Sequence, residues 1–208
     1  MIVNPSIGHT AKLLYETPFW SLFGDMMHWR IDPFIRELES KRQKGRIFPF
    51  ARGLHLSASL IYLIREILLG TNLEANWGQL LDERGNYCSC ECDVIIHHEG
   101  YEGRWNGNVM DFRFIKQQKA VAVISCKSYL RSGDVDSEYC ELMKPFVKKI
   151  WLFAECCGPR SAKSIEQKAL KSGYKKFWHL YSWSKKTGPQ PNSDGWINFV
   201  KEVKKLQP

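Results

Sequence analysis

Two apolar runs of β-type residues, each carrying polar side chains, constrain the fold of this 208-residue chain more than any other feature. The first is residues 91–96, Glu-Cys-Asp-Val-Ile-Ile, and the second is residues 120–124, Ala-Val-Ala-Val-Ile, which leads into Ser125, Cys126 and Lys127. Valine and isoleucine favour strands because their branched side chains pack well on a pleated surface. Both runs are therefore predicted to be buried β-strands with polar residues at their margins.

Strand alternation decides which of these side chains lie together. Successive residues of a strand point to opposite faces, so Glu91 and Asp93 share one face, and Ser125 and Lys127 share one face of the second strand. If the two strands are neighbours, these four polar side chains converge on one spot. The side chains expected to point the other way, into a core, are those of Cys88, Cys90, Cys92, Ile124 and Cys126.

The order and spacing of these residues resemble the PD-(D/E)XK nuclease superfamily, in which a helix acid precedes a strand Asp and a (D/E)-x-K motif on the next strand. The resemblance covers residues 53–157. It implies that Asp93 occupies the place of the metal-binding Asp, Lys127 that of the Lys, and Glu66 that of the helix acid. Ser125 stands where the superfamily carries Asp or Glu. The implied fold is α/β, with a restriction-endonuclease-like mixed central sheet flanked by helices and an N-terminal helical extension.

The resemblance also implies a chemistry. Hydrolysis of a phosphodiester requires charge stabilisation at the non-bridging oxygens and an activated water, and a divalent metal supplies both. Mg²⁺, or Mn²⁺ in its place, takes oxygen ligands, and the candidate metal ligands are Asp93, Glu91 and Glu66. Glu91 could provide the carboxylate that is missing at Ser125, and Lys127 could orient the attacking water. The candidate catalytic set is therefore Asp93, Lys127, Glu91, Glu66 and Ser125.

Each of these residues also has an ordinary structural interpretation. Glu66 is equally a surface carboxylate, Glu91 a solvent-facing strand residue, and Lys127 a lysine whose stem packs at a strand end. Asp93 differs from them, because a carboxylate that enters a buried strand needs a compensating partner.

Three functions remain open on this sequence. The first is a metal-dependent nuclease acting on nucleic acid, with DNA favoured; the resemblance alone suggests bacterial restriction or phage defence. The second is a catalytically inactive nuclease-fold protein that binds nucleic acid or a partner protein, as the change at Ser125 suggests. The third is an enzyme subunit that requires a partner chain. His97 and His98 follow Asp93 and are candidate general bases, but we expect them in a loop past the strand end.

Composition limits the class of protein. No apolar run reaches the roughly 20 residues of a membrane-spanning helix, and residues 1–5 lack the features of a signal peptide, so we expect a cytoplasmic protein without a membrane partner. The seven cysteines are an odd number and occur without a secretion signal, which argues against a disulfide framework. Residues 88–92, Cys-Ser-Cys-Glu-Cys, could hold zinc, but their strand-like spacing favours buried reduced thiols.

Positive charge is concentrated in the last third of the chain. Residues 144–208 carry a net charge of +10, and because the whole chain carries +8, the first 143 residues carry −2. A basic segment beside an acidic cluster suits a protein that holds a polyanion, although a solvated lysine-rich surface would look the same. The candidate nucleic-acid-binding residues are Lys144, Lys148, Lys149, Lys171, Lys175 and Lys176.

The remaining patterns predict two regions. Residues 1–52 form the N-terminal helical extension, whose aromatic residues could mediate a homodimer or dock a partner subunit. Residues 53–208 form the nuclease-like α/β domain with its basic C-terminal segment. Within this domain we expect helices at 54–69, 134–149 and from Trp196 to Leu206, a strand at 76–81, a buried strand at 150–154, and loops at 97–108 and 184–193.

Overall fold

One mixed β-sheet organises the chain. The computed structural model describes residues 49–100, 103–106, 111–158, 160–184 and 188–207, so most of the predicted N-terminal extension lies outside the described residues. The helices and strands are α1 (Pro49–Ile67), β1 (Leu73–Leu81), β2 (Cys92–His98), β3 (Gly103–Asn106), β4 (Asp111–Lys116), β5 (Ala120–Leu130), α2 (Ser137–Met143), β6 (Ile150–Cys157), α3 (Ala162–Lys171), β7 (Lys176–Ser184), β8 (Gly188–Pro191) and α4 (Ser193–Lys204).

The strands lie in the order β3-β4-β1-β2-β5-β6-β7-β8. β5, β6 and β7 run parallel, and so do β1 and β4, whereas the other neighbouring pairs are antiparallel. Parallel neighbours need a crossover, which α2 supplies between β5 and β6 and α3 supplies between β6 and β7. This sheet with helices on it confirms the predicted mixed α/β fold.

Two hydrophobic cores cover the two faces of the sheet. The first core joins α1 and α4 to strand residues such as Val94, Ile124 and Phe153. The second core joins α2 and α3 to the alternate strand residues, among them Val123 and Leu152. The period-two pattern of β5 thus places its odd-numbered and even-numbered central residues on different cores.

Several element boundaries differ from the sequence expectation. The helix predicted for 134–149 is only Ser137–Met143, because Asp136 caps its N-terminus, accepting from the Tyr139 amide at 3.0 Å, and Pro145 follows its C-terminus. The predicted loops at 97–108 and 184–193 contain the short edge strands β3 and β8, which pairing with β4 and β7 creates. The expected domain boundary at 52/53 falls inside α1, which begins at Pro49.

Candidate active site

The candidate site lies where β2 begins beside the middle of β5. These strands are antiparallel neighbours, with Val94 opposite Ile124, so Asp93 lies level with Ser125. The register pairs between β2 and β5 run from Val94 opposite Ile124 to His97 opposite Ala120, and β5 continues beyond them to Leu130. We call Lys127–Leu130 the distal segment of β5.

The chain before β2 follows β1 instead of β5. The Cys88 amide donates to the Leu80 carbonyl at 3.1 Å, and the Leu80 amide donates to the Ser89 hydroxyl at 2.8 Å. Residues 88–91 are therefore not part of a regular strand, and simple alternation does not apply to them. The expectation that Cys92 points away from the Asp93 face was wrong, because the register of β2 against β1 shifts between Cys92, opposite Gly78, and Ile95, opposite Asn76, and both residues are buried in the second core.

Asp93 continues the hydrogen-bond ladder where the backbone of β2 ends. Its Oδ2 accepts from the Cys126 amide at 2.7 Å, so a side chain replaces a strand carbonyl at this point. Burial raises the pKa of Asp93, and the negative charge of Glu91 adds to that effect. The Cys126 hydrogen bond and the positive charge of Lys127 oppose the shift without cancelling it. In the folded protein the charged form of the Asp93 carboxylate is therefore less favourable than it is in water.

Ser125 is buried beneath the site. Only 2% of its surface is exposed, and the Tyr174 side chain, itself fully buried in the second core, interacts with its hydroxyl. On the neighbouring strand β6, Leu152 lies in register with it. Ser125 therefore presents its hydroxyl to the protein interior.

Lys127 and Glu91 both act electrostatically on Asp93, with opposite signs. Lys127 is half-buried at the start of the distal segment and lies within electrostatic range of the Asp93 carboxylate. Glu91 is exposed, and its Oε1 accepts from the indole Nε1 of Trp77 at 2.7 Å. The structure thus places Lys127 and Glu91 within electrostatic range of Asp93, and Ser125 lies level with Asp93 but faces the interior.

Glu66 lies elsewhere. It belongs to α1, which packs on the first core, and α1 meets the site through Ser57, whose side chain interacts with the Cys126 thiol. Glu66 follows Ser57 by nine residues, which is about 14 Å along a helix. The structure therefore does not bring Glu66 to Asp93.

His97 and His98 also lie away from the site. They are the last residues of β2, where a loop was expected, and His97 is fully buried. The His97 ring contacts the Asn76 amide through Nε2 at 2.8 Å and the His98 carbonyl through Nδ1 at 2.7 Å. Burial lowers the pKa of His97. These contacts fit a neutral structural histidine.

A metal centre of three or more protein ligands would need cysteines or carboxylates of the described residues that lie close together. All seven cysteines are free thiols in the structure, and burial raises the pKa of Cys92 to about 12. Within the described ranges, no three His, Cys, Asp or Glu side chains come close enough together to hold a metal ion. The acidic donors at the site are the two carboxylates of Asp93 and Glu91.

The fold is shared with solved NucC structures. NucC of E. coli MS115-1 in its cAAA-bound form has a TM-score of 0.59 and 11% identity, over 91% of this chain and 90% of that one. NucC of P. aeruginosa ATCC27853, also cAAA-bound, has a TM-score of 0.56 and 13% identity, over 90% of this chain and 91% of that one. The apo form of the E. coli protein has a TM-score of 0.50, 11% identity, and covers 71% and 81% respectively.

The chain matches no protein-family model and no curated protein sequence. At 11–13% identity the likeness to NucC is one of fold, and Ser125 is a feature of this chain's own sequence. None of the helices that the structure describes is both long and apolar enough to cross a membrane.

The six candidate nucleic-acid-binding lysines are all exposed. Lys148 and Lys149 precede β6, and Lys175 and Lys176 precede or begin β7, so they gather where these parallel strands start. Lys176 is partly neutralised, because its Nζ lies 3.9 Å from the Glu202 carboxylate.

Three aromatic residues near the site escaped the sequence analysis. Trp77 binds Glu91, Tyr174 interacts with Ser125, and Tyr139, whose hydroxyl is buried, lies within electrostatic range of Asp93. They come from β1, from the α3–β7 loop and from α2. No local pattern distinguishes them from other core aromatics, because only the tertiary fold brings them to the site.

Proposed function

We propose that this protein is a metal-dependent nuclease that hydrolyses phosphodiester bonds of nucleic acid, with DNA as the favoured substrate. The observation that carries the proposal is the position of Lys127 on β5 within electrostatic range of Asp93 on β2, in a fold shared with NucC. A buried carboxylate whose pKa is shifted by burial and by a neighbouring charge is typical of a functional site.

The donors present fit a hard divalent cation. Asp93 and Glu91 offer only oxygen atoms, and the Glu91 charge raises the pKa of Asp93, a repulsion that a bound cation relieves. Mg²⁺ commonly uses one or two protein carboxylates and fills its other positions with water and substrate phosphate. We assign Asp93 and Glu91 as the residues that hold Mg²⁺ or Mn²⁺. When bound, the cation stabilises charge on the phosphate and lowers the pKa of a water.

The protein groups have separate tasks in this proposal. The Cys126 amide fixes one oxygen of Asp93, which holds the carboxylate in one orientation, and the Trp77 indole does the same for Glu91. Lys127 places a positive charge beside the scissile phosphate and orients the attacking water. Glu66 has no part in this arrangement, since it lies away from the other residues.

The exposed lysines give the substrate a second contact. Lys149 lies three residues before Leu152, the partner of Ser125, which is about 10 Å along a strand. Lys144, Lys148, Lys171, Lys175 and Lys176 surround the same end of the sheet and attract the phosphate backbone without selecting a sequence. Restriction or phage defence is the biological setting that the shared fold favours.

One observation favours a second function. Ser125 is buried and directed at Tyr174, so the position of the superfamily's acid contributes no ligand to the surface. On this alternative the chain is an inactive nuclease-fold protein that binds nucleic acid or a partner protein and does not cleave.

A cleavage assay separates the two functions. Labelled single-stranded and double-stranded DNA and RNA are incubated with Mg²⁺, Mn²⁺ or EDTA, using the wild type, Asp93→Asn, Lys127→Ala and the matched surface variant Lys168→Ala. The nuclease predicts metal-dependent product from the wild type and from Lys168→Ala, and none from the other two. Nucleic-acid binding without product on any substrate would instead support the binding protein.

A further inference from the structure

A row of four aromatic rings lies along β1 and β4 and ends at the candidate site. We call Tyr87, Phe114, Phe112 and Trp77 the aromatic row. The ring centroids lie 5.6 Å apart between Tyr87 and Phe114, 5.2 Å apart between Phe114 and Phe112, and 4.9 Å apart between Phe112 and Trp77. Rings at such separations attract one another, so each ring helps to hold its neighbour in place. The row is therefore ordered before any ligand binds.

Strand pairing builds the row. Trp77 of β1 lies opposite Phe112 of the parallel strand β4, and Phe114 follows Phe112 by two residues, so both phenylalanines share one face of β4. Tyr87 forms a bridge with Leu81, the last residue of β1. The four residues from Trp77 to Leu81 span about 13 Å of strand. Successive bases of a duplex strand are about 3.4 Å apart, so the row has the length of about four bases.

The two ends of the row differ. At one end the Tyr87 side chain is 67% exposed, and the other three rings are half-buried. At the opposite end the indole Nε1 of Trp77 donates to Glu91 Oε1 at 2.7 Å, and Glu91 acts electrostatically on Asp93. The row thus joins an exposed aromatic side chain to the carboxylates that we assign to the metal.

This continuity selects the kind of ligand that fits the row. The four side chains of the row carry no charge, so they attract a flat apolar group and not a phosphate. Unpaired bases present such flat faces, and stacking of bases on aromatic side chains is a general mode of single-strand binding. The bases of a duplex already stack on one another and leave no faces for the row. A single strand alone combines stacking bases with a phosphodiester for the candidate site.

We propose that the aromatic row stacks the unpaired bases of a single-stranded nucleic acid and leads the strand to Glu91 and Asp93. This inference rests on the proposed function, because it names the form of nucleic acid that the same site receives. Tyr87, Phe114 and Phe112 are binding residues, and Trp77 is also a positioning residue through its hydrogen bond to Glu91. The row does not read sequence, since every base has a stacking face.

Binding measured without cleavage tests this inference. Fluorescence anisotropy in EDTA gives the affinity for labelled single-stranded DNA, single-stranded RNA, duplex DNA and a single strand of the same length that lacks its bases. Tyr87→Ala is compared with the wild type, with Tyr87→Phe, which keeps the ring, and with Leu142→Ala, which removes an exposed apolar side chain from α2 on the other core. Thermal melting reports folding of each variant, and sedimentation reports self-association.

Loss of one stacked base weakens binding by about 5- to 150-fold. We expect a loss in this range for Tyr87→Ala on both single strands, with no loss on duplex DNA or on the strand without bases. The slope of log K against log salt should stay at the wild-type value, because no positive charge is removed. Tyr87→Phe and Leu142→Ala should bind like the wild type.

The outcomes separate this inference from the proposed function. If Tyr87→Ala keeps the wild-type affinity for single strands, weakens duplex binding equally, or changes only self-association, the inference is overturned. It is overturned also if the wild type binds no single strand. Single-strand binding that depends on the Tyr87 ring, without cleavage by the wild type, refutes only the nuclease. Metal-dependent cleavage of single strands that Tyr87→Ala leaves unchanged, together with unchanged affinity, refutes only the role of the aromatic row.

Discussion

Replacing Asp93 by Asn and by Ala separates the chemical role of its carboxylate from its structural role. The Oδ2 atom accepts from the Cys126 amide at 2.7 Å, and Cys126 is only 7% exposed. Asn keeps an oxygen at this position, so the amide retains its acceptor. Ala removes the acceptor and leaves a buried N–H group without a partner.

The stability difference between the two variants follows from that amide. A buried donor left unsatisfied costs about 1–3 kcal/mol. Asn also removes a charge that burial and Glu91 disfavour in the folded protein, so we expect Asp93→Asn to be at least as stable as the wild type at neutral pH. For a chain of this size about 1 kcal/mol corresponds to about 2–4 °C in Tm, so the two variants should differ by between about 2 and 12 °C.

Urea unfolding and thermal melting in EDTA measure this difference, with Glu83→Gln as the control for removal of an exposed carboxylate. Cleavage activity is measured on the same samples after metal is added. Both Asp93 variants should lack activity, although only Asp93→Ala is destabilised. Equal stability of the two variants would refute the hydrogen-bond argument, and activity in Asp93→Asn would refute the role of the carboxylate.

Three further predictions concern the scaffold. Gly78→Ala should lower the free energy of unfolding in urea by about 3 kcal/mol, because the added Cβ would meet the Arg113 carbonyl on the neighbouring strand. Gly133→Ala is the control and should be neutral, because a Cβ at Gly133 would meet no atom within 4 Å. Because burial lowers the pKa of His97 from 6.5, the free energy of unfolding should decline as pH falls below about 6.5, by at most about 1.4 kcal/mol per pH unit. His97→Gln should show a smaller decline when its melting is measured as a function of pH. A decline identical to that of the wild type would contradict this prediction. The buried Tyr174 side chain interacts with the Ser125 hydroxyl, so Tyr174→Phe should lower the unfolding free energy by about 1 kcal/mol, whereas unchanged stability in urea unfolding would contradict that interaction.

The sequence by itself determined the fold class and the two central strands. The runs around Asp93 and Lys127 are apolar enough to be buried whatever their neighbours, so local propensity and tertiary environment agree there. Alternation along β5 correctly separated Ile124 and Cys126 in the first core from the face that carries Ser125. A regular strand has one geometry, and its side-chain directions can be read from residue numbers.

Other features depended on pairing between distant segments. Edge strands β3 and β8 are short and contain glycine or proline, and they are strands only because β4 and β7 offer backbone partners. The direction of Cys92 was mispredicted because the register of β2 against β1 shifts between Cys92 and Ile95 and interrupts the alternation.

The position of Glu66 shows the same limit. Glu66 was predicted to be a site residue because it precedes Asp93 in the order that the superfamily's motifs follow. The order of residues along the chain does not fix which turn of a helix lies above a given strand residue. Packing of α1 on the first core places Ser57 at Cys126 and leaves Glu66 about 14 Å further along the axis. The sequence therefore specified which strands carry polar residues, and only the tertiary structure decided which side chains meet at the start of β2, because that depends on the register between distant elements.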